Sequence, residues 1–252
     1  MNWHAKGRLL LTHLGGSVLI AIVVAYVIYG VWYPGVYASL SGGGALFGLI
    51  VGVDLVMGPL LMVIVYNDQK KKAERIVDVG VILAVQLFAL FYGLHVLFDA
   101  RPIATVFETD RFRVVAANEV LLSELTPDSL GGGRLQIDGP ALLAVRASKD
   151  GTERIRSLEL AVSGFDAAQR PAYWIPYAAA SREQAWRRAK PIADLTQRWP
   201  GYASQIQLIL AKAKQESTDV RYLPMQGRKS TWTVLLNRQG DLLGYVEHDG
   251  FL

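Results

Sequence analysis

One stretch constrains the fold of this chain more than any other. Residues 45–66 read ALFGLIVGVDLVMGPLLMVIVY and are apolar throughout except for Asp54 near the middle. A helix rises 1.5 Å per residue, so this run would reach roughly 33 Å and cross a hydrocarbon core about 30 Å thick. A charged group at that depth costs about 2.5–3.5 kcal/mol on insertion scales. The stretch therefore predicts a membrane-spanning helix in which Asp54 has a specific partner.

Two further apolar runs, at about residues 9–33 and 79–98, are also long enough to span a bilayer. Together the three runs predict a three-helix transmembrane bundle over residues 1–98. The first run exceeds the 7–15 apolar residues of a signal peptide, so we expect it to be retained. Residues 99–252 have ordinary composition and are numerous enough to bury a core of their own.

The charges predict an orientation. Basic residues cluster in the head, at Lys6 and Arg8, and in the link 67–78, whereas the link 34–44 has no charge. By the positive-inside rule the head and the link 67–78 lie in the cytoplasm. The link 34–44 and residues 99–252 then lie outside, in the periplasm of a bacterial inner membrane. Because the net charge of +4 sits mainly at membrane boundaries, we expect no nucleic-acid partner.

The second span offers two candidate contact faces. Gly48 and Gly52 form a GxxxG pair, which either lets a neighbouring helix approach closely or is incidental. Asp54 stacks with Gly58, one turn further on, on a different face. Pro59 removes one backbone hydrogen bond and is expected to kink the helix beside Asp54.

Gln86 of the third span lies at a depth similar to that of Asp54, which predicts a hydrogen bond between the two side chains. Asp54 then has an internal structural bond, contacts a partner helix or moves protons or ions. We identify no acidic or basic partner on the other two spans, which disfavours a proton relay. His95, near the outer end of the third span, is expected to be interfacial rather than a metal ligand.

The segment after residue 99 predicts an α+β domain with an antiparallel sheet, because alternating and β-rich runs are separated by turn residues and helical patterns. The predicted strands are 105–108, 112–116, 140–146, 220–223, 231–236 and 242–247. The predicted helices are 119–125, 152–162, 181–198, which opens on a capping box at Ser181, and 203–215. Glycines 131–133 lack the GK[ST] sequel of a phosphate loop.

Residues 167–177 form an aromatic and proline-rich segment that cannot be a regular helix. Its Tyr173, Trp174 and Tyr177 either pack the core or line a partner-binding surface, since aromatic side chains are common in both settings.

The chain lacks the residue patterns of the common catalytic sites. It has no cysteine, and the part after residue 99 holds one histidine, His248. There is no GxSxG, HExxH, Walker or Rossmann motif. We therefore expect neither an enzyme nor a bound cofactor or metal. A membrane-bound sensor or signalling subunit is an alternative, although the cytoplasmic segments are short.

Three motifs, in this order, resemble the TfpX/TfpZ family of type IV pilin accessory proteins. They are GVDLVMGPLL in the second span, VQLFALFYGL in the third and RPIATVFETDRFRVV at the membrane exit. The resemblance is strong over about the first 120 residues and looser beyond. It implies an inner-membrane protein that helps a particular major pilin accumulate or assemble, and it brings no established catalytic site.

The resemblance and the residue patterns together suggest where a pilin would bind. We hypothesise that one face of the membrane bundle receives the pilin helix and that the outer domain contacts the pilin head. The residues assigned to the membrane face are Asp54, Gly58, Pro59 and Gln86, and those assigned to the outer domain are Tyr173, Trp174 and Tyr177.

Overall fold

The computed structural model describes residues 3–65, 70–127 and 133–251. Its first part consists of α1 (Trp3–Tyr26, continued by a π-helical turn at Val27–Trp32), the short α2 (Tyr37–Leu40), α3 (Gly43–Val65) and α4 (Lys72–Asp99). Three helical stretches, Leu11–Trp32, Gly43–Leu61 and Lys72–Asp99, are long and apolar enough to cross a membrane. The three predicted long apolar helices are therefore confirmed.

The C-terminal ends of the first and third spans are joined directly. The hydroxyl of Tyr33 donates a hydrogen bond to the carbonyl oxygen of Leu97 over 2.8 Å, and both residues are fully buried. Gly35 adopts a left-handed φ of 58° just after Pro34, which ends the first helix where the sequence predicts. Residues 66–69 of the link between α3 and α4 lie outside the described part of the chain.

The second part contains one eight-stranded sheet. Its strands are β1 (Pro102–Glu108), β2 (Arg111–Ala116), β3 (Ala141–Val145), β4 (Trp174–Pro176), β5 (Lys190–Pro191), β6 (Val220–Gln226), β7 (Thr231–Asn237) and β8 (Leu242–Val246). The order is β4-β3-β1-β2-β6-β7-β8, with β5 paired to β6.

The sheet is mostly antiparallel, as predicted, but it is mixed. Strand β3 pairs with β1 in parallel, and β6 pairs with β2 in parallel. Between β1 and β3 the antiparallel β2 returns the chain to the end where β1 began, and between β2 and β6 the long segment from 117 to 219 does the same, as parallel pairing requires.

Four helices complete this part: α5 (Gly151–Val162), α6 (Ala179–Arg188), α7 (Ile192–Arg198) and α8 (Ala203–Ala213). The prediction of one helix over 181–198 is wrong. Pro191 has no backbone N–H to continue a helix, and residues 190–191 instead form β5 against β6. Ser181 is not the N-cap, because α6 begins at Ala179 and buries Ser181 within it.

The predicted short helix over 119–125 is also wrong as a single element. Two 3₁₀ turns, Ala117–Glu119 and Leu122–Glu124, take its place. Of the predicted glycine-rich loop, residues 131 and 132 lie outside the described residues.

The loop between the first two spans packs into the hydrophobic core of the part that contains the sheet. Leu40 is fully buried in a cluster with Phe112 of β2 and Met225 of β6. The backbone N–H of Lys229 donates to the Leu40 carbonyl over 3.1 Å, and the hydroxyls of Tyr37 and Thr105 are hydrogen-bonded at 2.8 Å. This loop and the sheet therefore lie on the same side of the helical bundle, and we call the sheet-containing part the outer domain.

Candidate functional site

Polar side chains from all three spans meet inside the helical bundle. The amide nitrogen of Gln86 donates a hydrogen bond to Oδ1 of Asp54 over 3.0 Å, as predicted. The amide oxygen of Gln86 lies 2.9 Å from Nε2 of His13 on α1. We call Asp54, Gln86 and His13 the polar triad. It links α1, α3 and α4 through a continuous hydrogen-bond chain.

The chemistry of the amide fixes the direction of this chain. An amide oxygen only accepts, so His13 must donate from Nε2 to Gln86. In the neutral imidazole the proton then sits on Nε2, which leaves a lone pair on Nδ1. That Nδ1 is enclosed and has no hydrogen-bond partner among the residues described.

Gly58 makes room for the polar triad. A Cβ atom at Gly58 would overlap the amide nitrogen of Gln86 and Cε1 of His13. Gly58 is therefore an internal packing position, occupied by the triad, and its face is not free for a partner. Pro59 follows it within α3, which continues to Val65.

Asp54 and Gln86 of the polar triad lie near the middle of their helices. Asp54 is eleven residues from each end of α3, and Gln86 is fourteen residues from the start of α4 and thirteen from its end. At 1.5 Å per residue, Asp54 lies about 16 Å from either end of its helix. This is the depth at which an unsatisfied polar group costs most.

An apolar groove of about 560 Å³ runs between α3 and α4, with Asp54 and Gln86 in its wall. Its length from Leu46 to Leu61 is fifteen residues of helix, or about 22 Å. Apart from Asp54, Gln86 and Tyr92, the groove is lined by apolar residues, among them Leu49, Val53, Met57, Val85 and Ala89.

The GxxxG pair does not mediate packing within this chain. A Cβ atom at Gly48 or Gly52 would meet nothing within 4 Å in the described part of the chain. The close approach of α3 and α4 occurs at Gly93, where an added Cβ would lie 2.7 Å from Cδ1 of Ile50. His95 lies near the outer end of α4 with its Nε2 3.4 Å from an Asp99 oxygen, and both side chains are largely exposed.

The three aromatic side chains predicted either to pack the core or to bind a partner are buried. Tyr173, Trp174 and Tyr177 are 2%, 9% and 6% exposed. The hydroxyl of Tyr177 donates to the carbonyl of Gly240 over 2.8 Å, and Trp174 Nε1 donates to the carbonyl of Ala168 over 2.8 Å. These side chains pack the core and do not form an exposed surface.

A buried ion pair fixes the segment that carries these aromatics. Arg170, which is 3% exposed, donates from Nη2 to Glu124 over 2.5 Å and from Nη1 to Ser157 over 2.9 Å. Its guanidinium carbon lies 4.4 Å from the ring centroid of Tyr173.

A second ion pair, at the edge of the same segment, is partly exposed on both its basic and its acidic side. Arg146 donates two hydrogen bonds to Glu153, and these bonds, with one from the backbone of Lys149, lower the pKa of Glu153 to about 2. This arrangement is structural, since bidentate pairing of this kind orients side chains.

His13 is the residue of the polar triad that sequence reasoning missed. The expectation of no acidic or basic partner on the other two spans overlooked His13, which reaches Asp54 only through Gln86. The available signal was its position: His13 is ten residues from the start of α1, close to the eleven that separate Asp54 from the end of α3. The start of α1 and the end of α3 lie on the same side of the bundle, so similar spacing from them places both residues at one depth.

Comparisons with known proteins indicate the family. The profile of a family described as Fimbrial assembly protein FimB matches residues 1–42. A fimbrial assembly protein of Dichelobacter nodosus, serogroup E1, is 37% identical over 238 residues, which is 93% of this chain and 92% of that protein. The serogroup I protein has the same identity and coverage.

A third Dichelobacter nodosus relative, the fimbrial assembly protein of serogroups C1 and C2, is 42% identical over 109 residues, or 43% of this chain and 83% of that protein. No solved structure matches the chain.

Proposed function

This chain belongs to the family of fimbrial assembly proteins, and from that premise we propose that it binds and stabilises the cognate major type IV pilin in the inner membrane and so supports pilus assembly. The names of the relatives support a role in fimbrial assembly and nothing more specific. That the partner is a pilin, and that the chain is similar to the TfpX/TfpZ accessory proteins, are parts of our proposal. The role we propose is non-catalytic.

The observation that carries the proposal is the groove between α3 and α4. A pilin subunit before assembly is held in the membrane by one apolar helix, and a protein that retains it needs a complementary surface at membrane depth. The groove is apolar over about 22 Å, most of a hydrocarbon core, and has Asp54 and Gln86 in its wall. Packing and hydrogen bonds, rather than hydrophobicity, select one helix over lipid in this setting.

The outer domain supports a second contact. Because Leu40 and Tyr37 anchor it to the loop between the first two spans, the domain has a fixed position above the groove's helices. A pilin helix in the groove would therefore place its head beside the outer domain. We propose that the outer domain selects the cognate head by shape.

The orientation is part of the proposal. With the basic head and the link 67–78 in the cytoplasm, the outer domain lies in the periplasm, where pilin heads are presented. In this proposal residues 1–98 bind the membrane helix of the pilin, and residues 99–252 bind its periplasmic head.

Site-specific photo-cross-linking tests the proposal in cells that make the host strain's major pilin. A photoreactive residue is placed in the groove, at Val53 or Ala89, or outside it, at Val56 or Phe88, which are 64% and 75% exposed. We expect cross-links to the pilin helix from the groove positions and few from the outside pair. Equal yields from all four positions, or none to pilin, would refute the proposed binding site.

A deletion strain gives the functional readout. Removal of this chain is expected to lower the steady-state level of the major pilin and the number of pili. Normal piliation and normal pilin levels in the deletion strain would contradict the proposed function.

A further inference from the structure

We propose that the helix bound in the groove carries a hydrogen-bond donor, an N–H or O–H group, at the depth of Asp54, and that this group bonds to the second carboxylate oxygen of Asp54. This inference rests on the proposed function and specifies the chemistry of the partner helix. It distinguishes a partner that presents a polar residue at mid-depth from one that is apolar along its whole groove-facing side.

The two carboxylate oxygens of Asp54 have different surroundings. Oδ1 accepts the hydrogen bond from Gln86. Oδ2 has no hydrogen-bond partner among the described residues. It is also not enclosed by them, so it is accessible from outside the bundle. Because Asp54 lines the groove, this oxygen is available to a group that enters from the membrane side.

The other members of the polar triad are not available in the same way. The oxygen of Gln86 is taken by His13, and Nδ1 of His13 is unpartnered but fully enclosed. A ligand in the groove can therefore bond to Asp54 without displacing any helix, whereas it cannot reach His13. In its ionised form Asp54 presents this oxygen to the groove as a hydrogen-bond acceptor.

The surroundings of Asp54 explain why this oxygen would discriminate between occupants. In hydrocarbon an unpaired carboxylate oxygen has no water to bond, and a lipid acyl chain supplies no donor at this depth. A helix with a suitably placed donor removes that penalty, while a purely apolar helix of the same shape retains it. The groove thus favours one class of helix both over lipid and over other apolar helices.

Substitution of Asp54 by asparagine tests this directly. Asp54→Asn keeps an oxygen that can accept the hydrogen bond from Gln86, but it places an NH₂ group where Oδ2 stood. This NH₂ donor would then face the N–H or O–H donor of the bound helix, and no hydrogen bond could form between them. We expect the amount of the host strain's major pilin that co-purifies in mild detergent to fall at least tenfold per molecule of this protein. Val56→Ala, on the exposed face of the same helix outside the groove, is the control and should leave recovery unchanged.

The partner helix supplies a second measurement that does not depend on folding of the Asp54 variant. Each hydroxyl-, amide- or amine-bearing residue of the pilin's membrane helix is replaced by alanine in turn, against the unaltered accessory chain. One position should reproduce the tenfold loss, and combining it with Asp54→Asn should add little further loss.

The outcomes separate this inference from the proposed function. Full recovery of pilin with Asp54→Asn, or no single donor position in the scan, overturns the donor while groove cross-links to pilin would still support the binding site. Absence of those cross-links in the unaltered protein overturns the binding site itself.

Discussion

The backbone N–H of Lys229, between β6 and β7, donates a hydrogen bond to the carbonyl of Leu40, in the loop between the first two spans, over 3.1 Å. The two residues are far apart in the sequence and belong to parts that sequence patterns treat as separate. Their contact makes the loop a structural component of the outer domain. The membrane helices and the sheet are therefore mechanically connected at two places, this loop and the junction at Arg101.

Leu40→Ala is expected to destabilise the outer domain by about 2–5 kcal/mol, because it leaves a cavity in a core where Leu40 is fully buried. Thermal unfolding of the detergent-solubilised chain, followed by tryptophan fluorescence, measures the loss. Ser39→Ala, an exposed neighbour, should change the melting temperature little. Equal melting temperatures for both variants would show that the loop does not support the domain.

The same contact predicts a shared side for the loop and the outer domain. Because the chain has no cysteine, a single cysteine reports location without background. Cysteines at Ser39 and Lys212 should react with a membrane-impermeant maleimide added to the periplasm, whereas one at Lys72 should react only after the inner membrane is opened. Labelling of Lys72 but not Lys212 from the periplasm would reverse the proposed orientation.

Gly58→Ala is expected to destabilise the helical bundle by about 1–3 kcal/mol, since its Cβ would overlap Gln86 and His13 in a packed interior. Gly48→Ala is the matched control on the same helix, where an added Cβ meets nothing within 4 Å in the described residues. Resistance of the bundle to unfolding by denaturant in detergent checks both. A loss at Gly48 as large as that at Gly58 would contradict the assigned packing.

Arg170→Met is expected to cost about 3–5 kcal/mol of outer-domain stability, because it leaves the Glu124 carboxylate without its buried partner. Replacing both members, Arg170→Met with Glu124→Leu, should recover much of the loss. Arg187→Ala removes an exposed pair with Glu183 and should cost less than about 1 kcal/mol. The melting temperatures of the four proteins form the test, and a double variant no more stable than the single one would count against the explanation.

Glu108→Gln is expected to raise stability at neutral pH and to lose this advantage in acid. Burial, reinforced by the nearby Asp166 carboxylate, raises the pKa of Glu108 above its ordinary value of 4.5. A carboxyl with a raised pKa in the folded state stabilises the fold fully below pH 4.5, and that stability falls as the pH rises through the folded pKa. The difference in melting temperature between variant and parent should therefore grow from pH 4 to pH 7.5, and a constant difference would refute this account.

Much of the fold could be predicted from the sequence because it depends on local pattern. Three long apolar runs specify three spans, since length and composition alone decide whether a helix fits a bilayer. Alternating runs located β1, β2, β6, β7 and β8 to within a few residues. The errors fell where non-local pairing outweighed a local pattern, as at Pro191, where a helical signal gave way to a strand paired with β6.

The candidate site was predicted in part. The Asp54–Gln86 hydrogen bond followed from matching depths, because helix rise converts position along the chain into position across the membrane. The roles of Gly58 and Tyr177 did not follow. Whether a glycine faces a neighbour's side chain, or an aromatic ring faces solvent, depends on how elements rotate against one another, and residue spacing does not fix that rotation.

The sequence by itself determined that this chain has three membrane-length helices, a polar group at the centre of the second and an α+β remainder, because hydrophobic period and length are properties of the local chain. Only the tertiary structure decided that His13 completes the polar triad, that one oxygen of Asp54 stays open to a groove and that Leu40 joins the outer core. Each of these depends on which atoms of distant segments come within a few ångströms of one another.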